Sequence, residues 1–496
     1  MDMQPAFAPL VTDDKRRLIV FSFLMAALFM ATLDNQIVST ALPTIVGEFG
    51  QLERFGWIGS SYLLATSAVM PLYGKLGDLF GRKPVMMAAV TIFILGSALC
   101  GLAVSMNTLI AARVLQGLGG GGLMVSIFSI NADLFEPRER ARYQSYSSLM
   151  LMASGAIGPT LGGTMSDAFG WRSIFLVNIP IGLIVLVGLL AMLPYRRPTR
   201  QPRIDYAGAA LLALAVASIV LAADSAELFG ALASVESLGV VAFGLACAIG
   251  WVAVERRAPE PIVPLSLFGN STFNLLLVVS IVSGSIGIGL VNYYALFLQT
   301  TTGLSPSVAG LLFIALTGGI VIGSLSAGRL ISKFGFYKPF SIASIGLSLT
   351  ALALFTQIHP DTPIAIVALV MLLHGFGVGL GQQVPILGIQ NAAPQRDVGA
   401  ATGAVTLTRM SGAAIAISIY GAIINAGLRD IAIPGVDNLK ELTPKALALL
   451  APETRHLVAL AYSHAFLPLF AAAAVSAGIG LMAALMLKPV RLPRHR

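Results

Sequence analysis

Fourteen apolar stretches, each long enough to cross a lipid bilayer, fill this 496-residue chain almost end to end. A spanning helix takes roughly 20 mostly apolar residues. The stretches fall at about 18–43, 55–73, 84–104, 107–130, 142–166, 172–194, 206–223, 236–254, 271–299, 306–328, 339–357, 363–391, 397–425 and 463–487. Long runs rich in Gly predict helices and exclude a membrane barrel, whose strands show short alternating segments. The first stretch is too long for a signal peptide and no small-residue cleavage site follows it, so it is expected to stay as a span. Only 11% of the residues are charged, about half the share found in soluble domains, and the mean hydropathy is +0.85. The bilayer is this chain's solvent, and its work is expected to be moving, gating or sensing something across it.

The net charge of +8 does not point to nucleic acid, because the basic residues are sorted by side. An even number of spans puts both termini on one face. With that face cytoplasmic, 23 of the 31 Lys and Arg fall in inner loops and tails, six in outer loops, and two, Arg113 and Arg409, inside spans. The positive-inside rule predicts this bias. Cys100 and Cys247 lie within spans and indicate neither a disulfide nor a metal framework. No phosphate-binding P-loop occurs and the soluble loops are short. No enzyme activity, cofactor or metal is expected, and any work done must draw on an ion gradient.

The stretches divide as six, two and six, an all-α membrane protein. Residues 1–197 are expected to form a six-helix bundle, 198–264 a two-helix insertion, and 265–496 a second six-helix bundle with a long outer loop at about 427–462. Basic, Pro-rich links at Pro194–Pro202 and Arg256–Pro264 separate them. An internal repeat supports the division. Gly74-Lys75-Leu76-Gly77-Asp78-Leu79-Phe80-Gly81-Arg82-Lys83 follows the second span, and Gly328-Arg329-Leu330-Ile331-Ser332-Lys333-Phe334-Gly335 follows the second span of the last six. Gly-rich basic loops also recur by chance, but the matching position within each half favours a true repeat. Repeated six-helix halves are a hallmark of secondary transporters, with the substrate site between the halves.

Asp34 is the most informative single residue. It lies about 25 Å along the first helix from Arg17. A bare carboxylate in lipid costs several kcal/mol, so it must face a cavity, pair, or hold a proton. Burial and a nearby cation act on it in opposite directions, which suits a group that binds and releases a proton. Arg113, about 9 Å below the start of the antiparallel fourth span, reaches similar depth and is its natural partner. A structural polar pair and, for Arg113, snorkelling are the bland alternatives. Asp34→Asn is expected to abolish transport and leave folding intact.

The Gly74–Lys83 turn, with Gly74 and Gly81 at its ends, carries charges that predict more than a turn. Asp78 can cap a neighbouring helix N-terminus, and Arg82 can pair with Asp133 at the inner end of span four. Such contacts would latch one state and break in the other. Gly155, Gly158 and Gly162 allow close helix contact, and Pro159 is expected to bend span five. Packing alone is the plainer account of these four. Asn35, Gln116, Asn292, Tyr293, His374, Gln382 and Arg409 are candidates for a substrate cavity, although each could equally serve as interhelical glue, a core histidine or a helix lock.

Taken in order, these motifs resemble the major facilitator superfamily, and within it the fourteen-span drug:proton antiporter branch, the EmrB/QacA-like group. The likeness rests on Gly74–Lys83, Arg113–Gly122, Gly155–Gly163, Leu33-Asp34 through Ala41-Leu42-Pro43, Trp57 with Tyr62, and Trp171 through Gly182. It implies two bundles rocking about a central cavity, with export of amphipathic small molecules driven by proton entry. It implies that Asp34 is a proton site and that Arg113 assists coupling. It also implies a bacterial inner membrane with both termini cytoplasmic, where an accessory periplasmic adaptor would be compatible. Span ten, around Gly310–Gly328, lacks the acid that some relatives use for divalent cations, which puts dicationic substrates in doubt. The rival readings are a proton-coupled transporter of one metabolite (a siderophore, peptide or fatty acid), a non-transporting sensor on the same fold, and a channel.

Overall fold

A computed structural model describes residues 9–49, 55–196, 204–223, 234–302, 304, 306–429, 431, 433–434 and 450–493. Most of the first basic link, at 197–203, and part of the long outer loop, at 430, 432 and 435–449, lie outside the described residues, as do the side chains of Pro159 and Asn292. Among the described residues the regular elements are helices, and an isolated bridge pairs Phe336 with Arg491.

The first group holds α1 (Asp14–Phe49), α2 (Phe55–Phe80), α3 (Arg82–Gly101), α4 (Met106–Leu134), α5 (Pro137–Phe169), α6 (Ser173–Leu176) and α7 (Asn178–Met192). The insertion is α8 (Tyr206–Ala223) and α9 (Val235–Glu255). The last group holds α10 (Ser271–Ser283), α11 (Val291–Thr300), α12 (Pro306–Phe334), α13 (Lys338–Phe355), α14 (Ile364–Gly381), α15 (Val384–Ala392), α16 (Val398–Gly427) and α17 (Pro452–Met486). Eleven helical segments are long and apolar enough to cross a membrane. The remaining stretches of the sequence lie on α2, α5 and α8. α8 is short, and α5 carries a polar stripe, Gln144, Ser145 and Ser148, on the face it turns to the other half.

Among the described residues three spans are broken rather than continuous, the first at Val177 between α6 and α7. A π-helical turn, Gly284–Ile288, joins α10 to α11, and Gln382 and Gln383 separate α14 from α15. α5 runs unbroken through Pro159. Each group packs on itself: α4 between α2 and α3, α1 on α5 and α7, α14 between α12 and α13. α8 lies over both α2 and α16, so the insertion covers one side of the join, and Lys75 of α2 is tied to Glu260 at 3.0 Å.

The two bundles meet along α2 with α16 and α5 with α12. The contacts gather at the end of the molecule that holds both chain ends, where the Leu10 amide donates to Asp133 O and the Leu492 amide to Gly335 O. Gly74 and Gly399 bring the backbones of α2 and α16 into direct contact, and Gly403 packs on Met70 and Pro71. A side chain at Gly74 would enter the Gly399 carbonyl, which is why the position needs glycine. On the other seam Gly328 sits against Ser145, and Ser148 bonds Ser324 at 2.7 Å and Gln382 at 2.5 Å.

Followed away from that end, the same stripes part. On α5 the stripe continues to Gly155, seven residues beyond Ser148, and a Cβ there would meet nothing within 4 Å. On α2 the stripe runs through Leu63, 46% exposed, to Gly59, again with open space. The bundles are closed at the end that carries the termini and diverge toward the opposite end.

Candidate functional site

The densest polar cluster inside the bilayer-spanning region lies within the first bundle. α4 owes its depth to small residues. Gly119 lies on the Phe93 backbone of α3, and Gly96 of α3 lies on the Gln116 backbone in return. These contacts draw Arg113 and Gln116 into the bundle interior, at 1% and 0% exposure.

There Arg113 Nη1 donates to Asp34 Oδ2 at 2.6 Å and to Gln116 Oε1 at 2.6 Å. Its Nε donates to Ile58 O at 3.1 Å, and its guanidinium lies over the Tyr62 ring, 4.2 Å from the centroid. Asp34 Oδ1 accepts from Gln116 Nε2 at 2.8 Å and from Asn178 Nδ2 at 2.7 Å. Gln116 Nε2 also reaches Ser97 Oγ at 2.7 Å. Four helices, α1, α3, α4 and α7, thus converge on one carboxylate, which is sealed from the cleft (1% exposed).

The hydrogen-bond chemistry of this cluster is specific. An ionised Asp34 satisfies all three donors. A protonated Asp34 becomes a donor itself, and neither a guanidinium nor an amide N–H can receive its proton. Asn178 Oδ1 is buried without a hydrogen-bond partner among the described residues. Rotating that amide would present Oδ1 to the protonated acid, so the cluster holds an acceptor for each protonation state. One residue further along α1, Asn35 is half-buried, and Gln36 beyond it is exposed.

A first prediction arises here. Removing one donor, Asn178→Ala, is expected to cost about 1.5–3 kcal/mol of stability, the range for a hydrogen bond to a charged group. It should also slow transport, because the protonated acid loses its acceptor. Thermal denaturation in detergent and dye efflux from the same preparation measure the two. Unchanged transport would remove Asn178 from the cycle.

The Gly74–Lys83 segment forms a second cluster at the closed end; it is helical on both sides of Gly81, the one residue between α2 and α3, rather than the longer turn expected from sequence. Asp78 Oδ1 and Oδ2 accept from the Gly399 and Ala400 amides at 3.1 and 2.9 Å, so one carboxylate caps the N-terminus of α16 in the opposite bundle. Arg82 Nη2 holds Asp78 at 2.7 Å and its Nε holds Asp133 at 3.0 Å. Gly81 makes the turn at φ 93°, a backbone setting that favours glycine. A third cluster crosses the join without charge. Gln144 Nε2 donates to Gln390 Oε1 at 2.9 Å, and Gln390 donates to Phe128 O and Thr402 Oγ1, each at 3.1 Å.

The remaining candidates scatter. Gln116 belongs to the Asp34 cluster rather than to a cavity wall. His374, 1% exposed, sits in the aromatic core of the second bundle between Tyr294 and Phe355, with Nε2 on Ile286 O at 3.1 Å. Tyr293 spends its hydroxyl on Ile417 O at 2.6 Å. Gln382 and Arg409 lie together at the join, with Arg409 Nη1 on Gln382 O at 3.3 Å. Gly158 packs against Gln36, Gly162 is buried, and Gly155 faces open space. The side chain of Asn292 lies outside the described residues. Ser97, Asn178, Gln144 and Gln390 were not singled out by sequence; a lone Asn opening the apolar run of α7 was the one available signal.

Two helical bundles that touch at one end, part at the other, and enclose a buried ion pair define a membrane transporter. Residues 24–417 match the Major Facilitator Superfamily, and the chain belongs to that family, a multi-pass transporter of small substrates rather than an enzyme. It is 30% identical to the multidrug transporter protein MdtP of Bacillus subtilis (strain 168), over 97% of this chain and 95% of that one. It is 32% identical to multidrug resistance protein 3 of the same organism, over 81% and 78%. The crystal structure of the human organic anion transporter MFSD10 superposes with a TM-score of 0.65, covering 95% of this chain and 99% of that one, at 15% identity, a likeness of fold alone.

Proposed function

We propose that this transporter is a proton-driven exporter of amphipathic small molecules, of the fourteen-span drug:proton antiporter type, in a bacterial inner membrane with both termini cytoplasmic. The observation that carries the reading is the Asp34–Arg113 pair, sealed among Gln116, Asn178 and Ser97. A buried carboxylate in such a setting is costly to keep unless its charge is used. Relatives named as multidrug transporters and the sorting of Lys and Arg by side support the rest.

With the termini cytoplasmic, the cleft opens outward and the closed end faces the cytoplasm. In this state substrate leaves to the outside. A proton entering along Asn35 and Gln36 neutralises Asp34, releases Arg113 from its counter-charge and lets the Asn178 amide turn. The ion pair between α1 and α4 weakens, and the latch from Asp78 to α16 is the contact that must part for the bundles to rock. Proton release to the cytoplasm restores the pair.

The test is substrate-dependent proton flux in proteoliposomes with an imposed pH gradient. Uphill movement of an amphipathic dye against proton flow is the expected result. Flux that only follows the dye's own gradient and ignores the pH gradient would leave a facilitator or channel and overturn the antiport.

A further inference from the structure

Counting charge in the membrane interior exposes an imbalance. Arg113 is neutralised by Asp34. Arg409, on α16, is not neutralised: among the described residues no carboxylate lies within ion-pair reach of it. Its side chain is 8% exposed, its Nε is buried with no hydrogen-bond partner among the described residues, and its one polar contact is the 3.3 Å bond to Gln382 O. An arginine does not lose its proton to escape this cost. The Gln382 carbonyl ends α14, and the partial negative charge of a helix C-terminus offsets only part of a full positive one. A buried unpaired charge is otherwise strongly destabilising.

The position of this charge matters as much as its sign. Gln382 is the residue that Ser148 of the opposite bundle also holds, and seven residues further along α5 Gly155 has open space around it. Arg409 therefore sits at the floor of the cleft. Above it the diverging stripes carry Met152 on α5, Met410 on α16 and the exposed Leu63 on α2. Thioether and aliphatic side chains make an adaptable apolar wall. The next residue along the break, Gln383, has both side-chain polar atoms buried without hydrogen-bond partners among the described residues.

We propose that Arg409 is the anion-binding residue of the cleft floor, and that the substrates include amphipathic organic anions bearing a carboxylate or sulfonate. The apolar body of such a molecule rests on the methionine and leucine side chains while its charge completes the guanidinium. This deepens the exporter reading and rests on it for the direction of transport, but binding can be measured apart from coupling. A purely structural role, in which Arg409 only locks the broken α14–α15 helix, predicts no dependence on ligand charge.

Two xanthene dyes of similar shape and opposite charge, fluorescein and rhodamine 123, distinguish these cases. Fluorescence anisotropy with the purified full chain in lipid nanodiscs is expected to show tighter binding of fluorescein. Arg409→Gln is expected to weaken fluorescein binding about tenfold or more, equivalent to about 1.4 kcal/mol, with rhodamine 123 unchanged. Arg409→Lys, which keeps the charge, should fall between the two. Tighter binding of rhodamine 123 by the unsubstituted protein, equal loss of both dyes in Arg409→Gln, or unaltered fluorescein binding in that variant would each overturn the proposal. If Arg409→Gln does not fold, Arg409→Lys with the same charge-selective weakening carries the test, and unselective weakening refutes it. Arg409-dependent fluorescein binding without proton-driven flux in proteoliposomes removes the exporter reading and leaves this site. Proton-driven flux with charge-blind binding does the reverse.

Discussion

Asp34→Asn is expected to abolish proton-driven transport and also to lower folding stability, by about 3–5 kcal/mol, the usual cost of removing one partner of a buried ion pair. The expectation from sequence is that folding survives this change. The structure puts Asp34 at 1% exposure with Arg113 at 2.6 Å, so the neutral amide would leave a guanidinium buried without counter-charge. The double variant Asp34→Asn/Arg113→Gln removes both charges and is expected to recover most of the stability while transport stays absent. Thermal unfolding and dye efflux, measured on both variants, separate the structural from the coupling role. Recovery of proton-driven efflux in the double variant would show that the pair only holds the bundle together.

Gly74→Val is expected to give the largest conformational effect. At Gly74 and Gly399 the two bundles touch backbone to backbone, and a Cβ at Gly74 has no space beside the Gly399 carbonyl and the Ala400 amide. These are rigid groups at the N-terminus of α16, the same end that Asp78 caps, so they cannot swing away as a flexible side chain would. The closed end must open. Because interfaces of this kind are bistable, the population should shift to the state with the seam parted rather than relax by small increments. A shift of about 1.4 kcal/mol changes the open-to-closed ratio tenfold, and a clash with backbone is expected to exceed that. A cysteine placed at Ser148, 1% exposed at the seam, reports the change. Its reaction with a water-soluble maleimide is expected to quicken at least tenfold in the Gly74→Val background, with export lost. Unaltered labelling and full export would mean that the seam does not open during transport.

Much of this was legible because charge in a membrane protein is scarce. Asp34 and Arg113 could be paired by depth alone, since two antiparallel helices leave few ways to satisfy opposite charges at the same level. The helix-capping role of Asp78 and the pairing of Arg82 with Asp133 followed similarly from charges confined to a short segment, whereas the choice of α16 as the capped helix came from the structure. Neutral polar residues gave no such guide. Asn178 and Ser97, which complete the Asp34 cluster, and Gln144 and Gln390, which cross the join, look like ordinary interhelical polar residues until their neighbours are known. For His374 the sequence gives a place near the middle of its span, but whether it faces a core or a cavity is decided by the fold, because depth follows from counting along a span whereas azimuth does not.

That distinction separates the two sources of information. The sequence by itself determined that the chain is a multi-pass helical membrane protein, and where along each helix its charges sit, because lipid tolerates only apolar, internally bonded segments. The tertiary structure decided which way each helix faces, that Asp34 is sealed inside the first bundle, that Arg409 has no counter-charge among the described residues, and that the halves close at the end bearing the termini. Hydropathy could not supply this, since lipid tails and a bundle core are about equally apolar and a helix surrounded by both carries no amphipathic stripe to reveal its orientation.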